Sequence, residues 1–128
     1  MKTTNIIVDT SVIIKWLLPD EKNDLALKIK KNFEENLLTI SIPHLTYYEI
    51  GNVLKTAAKY NRINENVAKK LYNAIIDLDF VTYATKDLFN LTISKSLDFD
   101  ISFYDASYVA LSEYLQIPFI TTDKKTSK

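Results

Sequence analysis

Short β-branched apolar runs alternate with longer stretches of helical period along the whole chain. Asn5–Val8 is predicted as a buried strand, and Ser11–Leu18 as a short helix stopped by Pro19. Glu21–Phe33 places Leu25, Ile29 and Phe33 on one stripe and is predicted to be helical. Leu38–Ile42 is the second strand, ended by Pro43, and Leu45–Tyr60 the helix after it. Asn64 suits the N-cap of a helix reaching about Leu78. Phe80–Tyr83 is the third strand, Thr85–Leu97 a helix with Leu88, Leu91 and Phe89 inward, Ser102–Leu115 a further helix, and Pro118–Thr121 the fourth strand. Strands apolar on both faces and separated by crossover-length stretches imply an α/β fold: a central parallel sheet flanked by helices, in three layers. Residues 1–128 are expected to form one domain.

Composition removes most chemistries. The chain has no Cys, one His (His44) and one Gly. Thiolate catalysis, Cys-type metal sites, two-imidazole sites, the phosphate-binding Gly-rich loop and the dinucleotide fingerprint are therefore excluded, and a Ser-His-Asp mechanism is disfavoured. Sixteen Lys+Arg balance 16 Asp+Glu, so no global basic footprint marks a nucleic-acid module. No apolar run reaches the roughly 20 residues that span a bilayer, and the N-terminus lacks a signal-peptide core. The expectation is a cytoplasmic protein with no membrane attachment.

Carboxylates, hydroxyls or no chemistry at all remain. In an open parallel sheet, ligands bind outside the carboxyl ends of the strands. Asp9 and Ser11 follow strand one, and Thr121 and Asp123 follow strand four. Glu49 lies early in the helix after strand two, and Asp105 in the first turn of the helix before strand four. Four carboxylates at one mouth repel one another unless a cation neutralises them, and Mg²⁺ or Mn²⁺ suits such oxygen donors. A cation held this way supports hydrolysis of a phosphodiester. Each residue also has a plainer reading. Asp9 suits an N-cap, Glu49 follows Thr46 by a capping-box spacing, Asp105 follows Ser102 by the same spacing, and Asp123 suits a turn. Pro43 fits the start of the helix that carries Glu49, which puts that carboxylate deeper inside it. Lys15, Lys124 and Lys125 suit either phosphate contact or solvent, Asp100 a loop or cap, Trp16 and most of the eight Tyr the core or an interface, and His44 a structural place.

Four stretches together resemble the PIN-domain ribonucleases, specifically the VapC-type toxins of toxin–antitoxin pairs. They are Ile7-Val8-Asp9-Thr10-Ser11-Val12 with Lys15-Trp16; Pro43 to Leu54; Ser102 to Leu111; and Pro118 to Lys125. The resemblance implies a metal-dependent endoribonuclease in which Asp9, Glu49, Asp105 and Asp123 match the acidic quartet that holds Mg²⁺ or Mn²⁺. Ser11 and Thr121 match hydroxyl positions beside the metal. It also implies a homodimer, an RNA substrate and an inhibiting antitoxin protein. Members of that family usually continue past the last Asp into a further helix and an edge strand, so this chain, reaching Lys128, is expected to lack that edge. A non-toxin RNA-processing nuclease, or a catalytically weak module that binds a protein partner, are the alternatives.

Overall fold

A computed structural model describes residues 3–21 and 23–122. Its elements follow the expected alternation. In chain order they are β1 (Thr4–Val8), α1 (Thr10–Leu17), a 3₁₀ turn (Pro19–Glu21), α2 (Asp24–Glu34), β2 (Leu38–Pro43), α3 (Leu45–Lys59) and α4 (Glu65–Ile76). β3 (Val81–Tyr83), α5 (Thr85–Phe99), α6 (Phe103–Leu115) and β4 (Phe119–Ile120) follow. The four strands form one sheet in the order β3-β2-β1-β4, and every pairing is parallel.

Period-two alternation along β1 divides the interior in two. Ile6 and Val8 join Ile40 and Ile42 of β2 beneath α1–α4, packing on Val12, Ile13, Ile29, Ile50 and Leu54. Ile7 points the other way, onto Leu88 of α5 and Tyr108 and Leu111 of α6. The result is the three-layer arrangement the alternation implied. Trp16 is a core residue: it stacks against Phe33 and Phe80, and its indole N–H donates to the Ala26 carbonyl at 2.7 Å.

Strand order fixes where a ligand can sit. The chain steps from β1 to β2 to β3 in one direction and then places β4 on the other side of β1. The crevice between the carboxyl ends of β1 and β4 is thus the topological switch point, the usual binding position in such a sheet.

Several local departures have clear causes. Pro19–Glu21 forms a 3₁₀ turn, and α2 begins later than expected because Asn23 caps it, accepting from the Ala26 N–H at 3.0 Å. Ala26 and Ile29 are buried, Phe33 is half-buried against the same core, and Leu25 is exposed. Pro43 ends β2 and does not open α3; at the strand end its missing N–H costs no ladder bond, and the next N–H, of His44, donates to Tyr83 O at 2.8 Å. β3 is a short edge strand and is mostly exposed. Phe89 faces solvent, and Thr92 joins Leu88 on the buried side of α5. Among the described residues no helix is long and apolar enough to cross a membrane.

α5 and α6 stop by the same device. Asp100 and Gln116 adopt left-handed conformations at φ 52° and 56°. Ser96 and Ser112, four residues earlier, donate their hydroxyls to the carbonyls of Ile101 and Ile117, each at 2.6 Å. Asp tolerates the left-handed region better than Gln, so exposed Gln116 carries the larger strain. Gln116→Gly is expected to raise unfolding free energy by up to about 1 kcal/mol in urea titration, since glycine adopts this conformation without a Cβ clash.

Candidate active site

Asp9 leaves β1 at the N-cap position of α1, yet its side chain makes no cap hydrogen bond. Its carboxylate is instead a hub between β1 and β4. Ser11 Oγ donates to Oδ1 and Thr121 Oγ1 donates to Oδ2, each at 2.5 Å, the short range of hydroxyl–carboxylate bonds. Ser11 Oγ in turn accepts from the Thr122 N–H at 3.1 Å and the Thr122 hydroxyl at 2.9 Å. Asp9 is only 5% exposed, so these donors supply what lost water would have given.

A second network gathers around Glu49, on α3. Thr10 Oγ1 donates to Glu49 Oε1 at 2.9 Å and Tyr108 OH donates to the same oxygen at 2.6 Å. The Tyr108 oxygen lies 2.8 Å from Thr46 Oγ1 and 3.0 Å from Thr10 Oγ1. One hydrogen per hydroxyl satisfies this set when Thr46 donates to Tyr108, Tyr108 to Glu49 and Thr10 to Glu49. Thr46 therefore braces Tyr108, and the capping-box reading of Thr46 and Glu49 does not hold: no side chain caps α3.

Burial pushes the Glu49 carboxyl above the usual glutamate range. The hydrogen bonds from Tyr108 and Thr10 oppose that rise, and the negative charges of Asp105 and Asp9 add to it. Glu49 thus lies within electrostatic reach of both Asp9 and Asp105. Burial and the Glu49 charge hold the Tyr108 phenol far above its ordinary value, so it stays a proton donor. Asp105 lies in the first turn of α6, where its backbone N–H donates to the N-cap Ser102 Oγ at 3.0 Å. The capping spacing there is real for the backbone, and the charge of the Asp105 carboxylate, like that of Asp9, acts on Glu49.

Glu49 borders an open groove of about 370 Å³, lined also by Thr10, Tyr48, Asn52, Val53 and Tyr104. Of the residues expected from the sequence, the structure brings Asp9, Ser11 and Thr121 into one network and sets Glu49 beside it through Thr10, with Asp105 in the first turn of α6, where its charge raises the Glu49 carboxyl further. Asp123, Lys124 and Lys125 lie outside the described residues. Lys15 lies in the last turn of α1, Asp100 caps α5, and His44 precedes α3 with its ring against Tyr47 and Tyr48. The sequence suggests only a capping place for Thr46 and no part in the site for Thr10, Tyr108 and Thr122. Tyr108 follows Asp105 by three on α6, a spacing that puts both on one helix face, and Thr10 adjoins Asp9; these were the available signals.

The donor set facing a cation here is all oxygen, two of its carboxylates further acidic neighbours of the third, which fits a hard divalent ion. Among the described residues no three acidic or imidazole groups close into a ready-made metal cage.

An α/β sandwich with an acidic mouth at its switch point defines a class of ligand-binding and hydrolytic proteins rather than one activity. The family comparison narrows it: residues 6–128 match the PIN domain, and the chain belongs to that family. It is similar to ribonuclease VapC3 of Pyrobaculum aerophilum, with 29% identity over 96% of this chain and 92% of that protein. The fold is similar to that of PAE2754 from Pyrobaculum aerophilum, with TM-score 0.73, 24% identity, and coverage of 96% of this chain and 77% of that one. It is also similar to that of Mycobacterium tuberculosis VapC20, a sarcin–ricin loop cleaving toxin, with TM-score 0.62, 20% identity, and coverage of 95% and 92%.

Two outcomes follow from the Glu49 network. A raised folded-state pKa means that Glu49 favours folding most below the ordinary glutamate range and loses that contribution as pH rises through the folded value. In EDTA, Glu49→Gln is therefore expected to melt above the parent at pH 7, with the gap closing toward pH 4; a gap that widens on acidification would overturn this. Tyr108→Phe keeps the ring, which stacks on Phe119, but strands the fully buried Thr46 hydroxyl. The expected cost is about 1–3 kcal/mol in a urea titration.

Proposed function

We propose that this protein is a divalent-cation-dependent endoribonuclease and the toxin component of a toxin–antitoxin pair. The observation that supports the reading is the buried Asp9 carboxylate, held by Ser11 and Thr121 at the switch point of a PIN-family sheet, with Glu49 bound to the adjoining Thr10. The names of the relatives support the nuclease and the toxin: VapC3 is a ribonuclease and VapC20 a toxin that cleaves the sarcin–ricin loop.

Asp9, Glu49 and Asp105, with Asp123 as the fourth acidic residue, would hold Mg²⁺ or Mn²⁺. When bound, the ion supplies an activated water and charge neutralisation at the scissile phosphate. The chain's own groups prepare for this. Ser11 and Thr121 fix both oxygens of Asp9, so its carboxylate is oriented before any ligand arrives. Thr10 and Tyr108 both land on Oε1 of Glu49, which leaves Oε2 to serve the ligand side. The elevated Glu49 carboxyl is suited to accept a proton from an attacking water, since its basicity is raised.

An unneutralised acidic mouth also attracts Lys or Arg from an inhibitor, and the partner we propose is a small antitoxin with a basic tail. The assembly we propose is a homodimer. RNA cleavage should vanish in excess EDTA and return with Mg²⁺ or Mn²⁺, and Asp9→Asn should lower the rate by about a hundredfold or more. Growth arrest on expression should disappear with the same substitution. Cleavage undiminished in EDTA would overturn the cation-dependent reading.

A further inference from the structure

One exposed stripe of α3 leads away from the acidic mouth. Tyr48, Asn52, Lys55 and Lys59 recur at i, i+4, i+7 and i+11, which puts them on one face of the helix, and all four are exposed. Tyr48 and Asn52 line the groove beside Glu49. Lys55 and Lys59 line two adjoining grooves of about 400 and 440 Å³ between α3 and α4, and exposed Lys69 of α4 lines both of these. The helical rise sets Lys55 about 9 Å and Lys59 about 15 Å along the axis from Glu49. Among the described residues none of the three lysines makes a salt bridge, although Glu65 shares the second groove; the ion pairs join Arg62 to Asp20 and Glu21, and Lys95 to Glu113. Arg62 is the chain's only arginine, and the acidic groove has no Lys or Arg among its described lining residues. Physiological salt screens exposed charges over about 8 Å, so the carboxylates at the mouth leave the field of the lysines largely intact.

We propose that Lys55, Lys59 and Lys69 form a phosphate-binding track that holds the RNA backbone on one side of the scissile bond, away from the acidic centre. This rests on the nuclease reading and adds a second binding surface to it. An acidic mouth repels a polyanion except where a cation sits, so attraction for the rest of the strand comes from elsewhere. Lysine ammonium groups supply it as mobile point charges that carry no sequence readout. The stripe is continuous with the mouth, which favours a strand running through both over a separate acidic protein bound at the lysines alone. Contacts this far from the reacting atoms bind substrate and transition state alike, so the track lowers KM and leaves kcat unchanged.

The test titrates a fluorescein-labelled oligoribonucleotide with the full chain carrying Asp9→Asn, Mg²⁺ present, over a series of KCl concentrations. Each phosphate contact removed should flatten the plot of log affinity against log salt by about 0.7. Lys55→Gln, Lys59→Gln and Lys69→Gln together should therefore lower the slope by about 2 and weaken binding roughly tenfold or more at low salt. Arg at the three positions should restore both. Lys31→Gln, in the last turn of α2 and outside these grooves, should change neither. With Asp9 intact, the triple Gln variant should raise KM for the same RNA and keep kcat. A triple Gln variant with the parental slope and affinity, or a Lys31→Gln variant that flattens the slope as much as one track lysine, would overturn the track. If the unsubstituted protein still cuts RNA in that case, the nuclease reading survives alone and the lysines serve another partner. If the unsubstituted protein neither binds nor cuts RNA, both fall.

Discussion

The structure turns on a buried anion. Asp9 ends the central strand β1 and sits almost wholly out of water, where an unsatisfied carboxylate would cost several kcal/mol. Two hydroxyls, one from α1 and one from the end of β4, meet that cost. Because Thr121 and Thr122 reach Asp9 and Ser11 only when β4 lies alongside β1, the same bonds that satisfy the charge hold the two-residue strand in place. A strand so short has few ladder bonds of its own. Its position depends on side-chain chemistry at the site, and the site's geometry depends on its position.

Much of this was legible in the residues. Alternation of apolar runs with helical stripes is a backbone-period signal, and it located every strand and helix to within a few residues. Asn64 and Ser102 proved to be helix caps because a short polar side chain before an apolar run has one strongly favoured use. Glu21 and the bulky Leu25 suggest a start about one turn too early for α2, whereas Asn23 caps it and buried Ala26 is the residue whose carbonyl takes the Trp16 indole N–H. A stripe read from side-chain size misses such positions, where close approach matters more than volume.

The acidic residues were legible as strand-end and helix-start carboxylates, but their partners were not. Thr10, Thr46 and Tyr108 are separated by up to 98 residues, and no periodicity within one element predicts a hydroxyl chain that crosses three helices. Tyr108 reads as an ordinary core aromatic, which its ring is; only its phenol oxygen belongs to the site. The plainer readings separated in the same way. Asp9 occupies a cap position without capping, and Asp105 sits within a cap that Ser102 makes, because position is set by local sequence whereas side-chain direction is set by distant neighbours.

Chain order gives the split between the two networks a bearing on synthesis. Asp9, Thr10, Ser11, Thr46 and Glu49 belong to the first half of the sequence, whereas Asp105, Tyr108, Thr121 and Thr122 all follow Asp100. A nascent polypeptide that has emerged only as far as α5 holds two of the carboxylates and neither the phenol that steadies Glu49 nor the threonines that steady Asp9. Both networks therefore close late, when α6 and β4 have left the ribosome and docked. Prematurely ended translation products of this chain are left without the groups that orient Asp9 and Glu49.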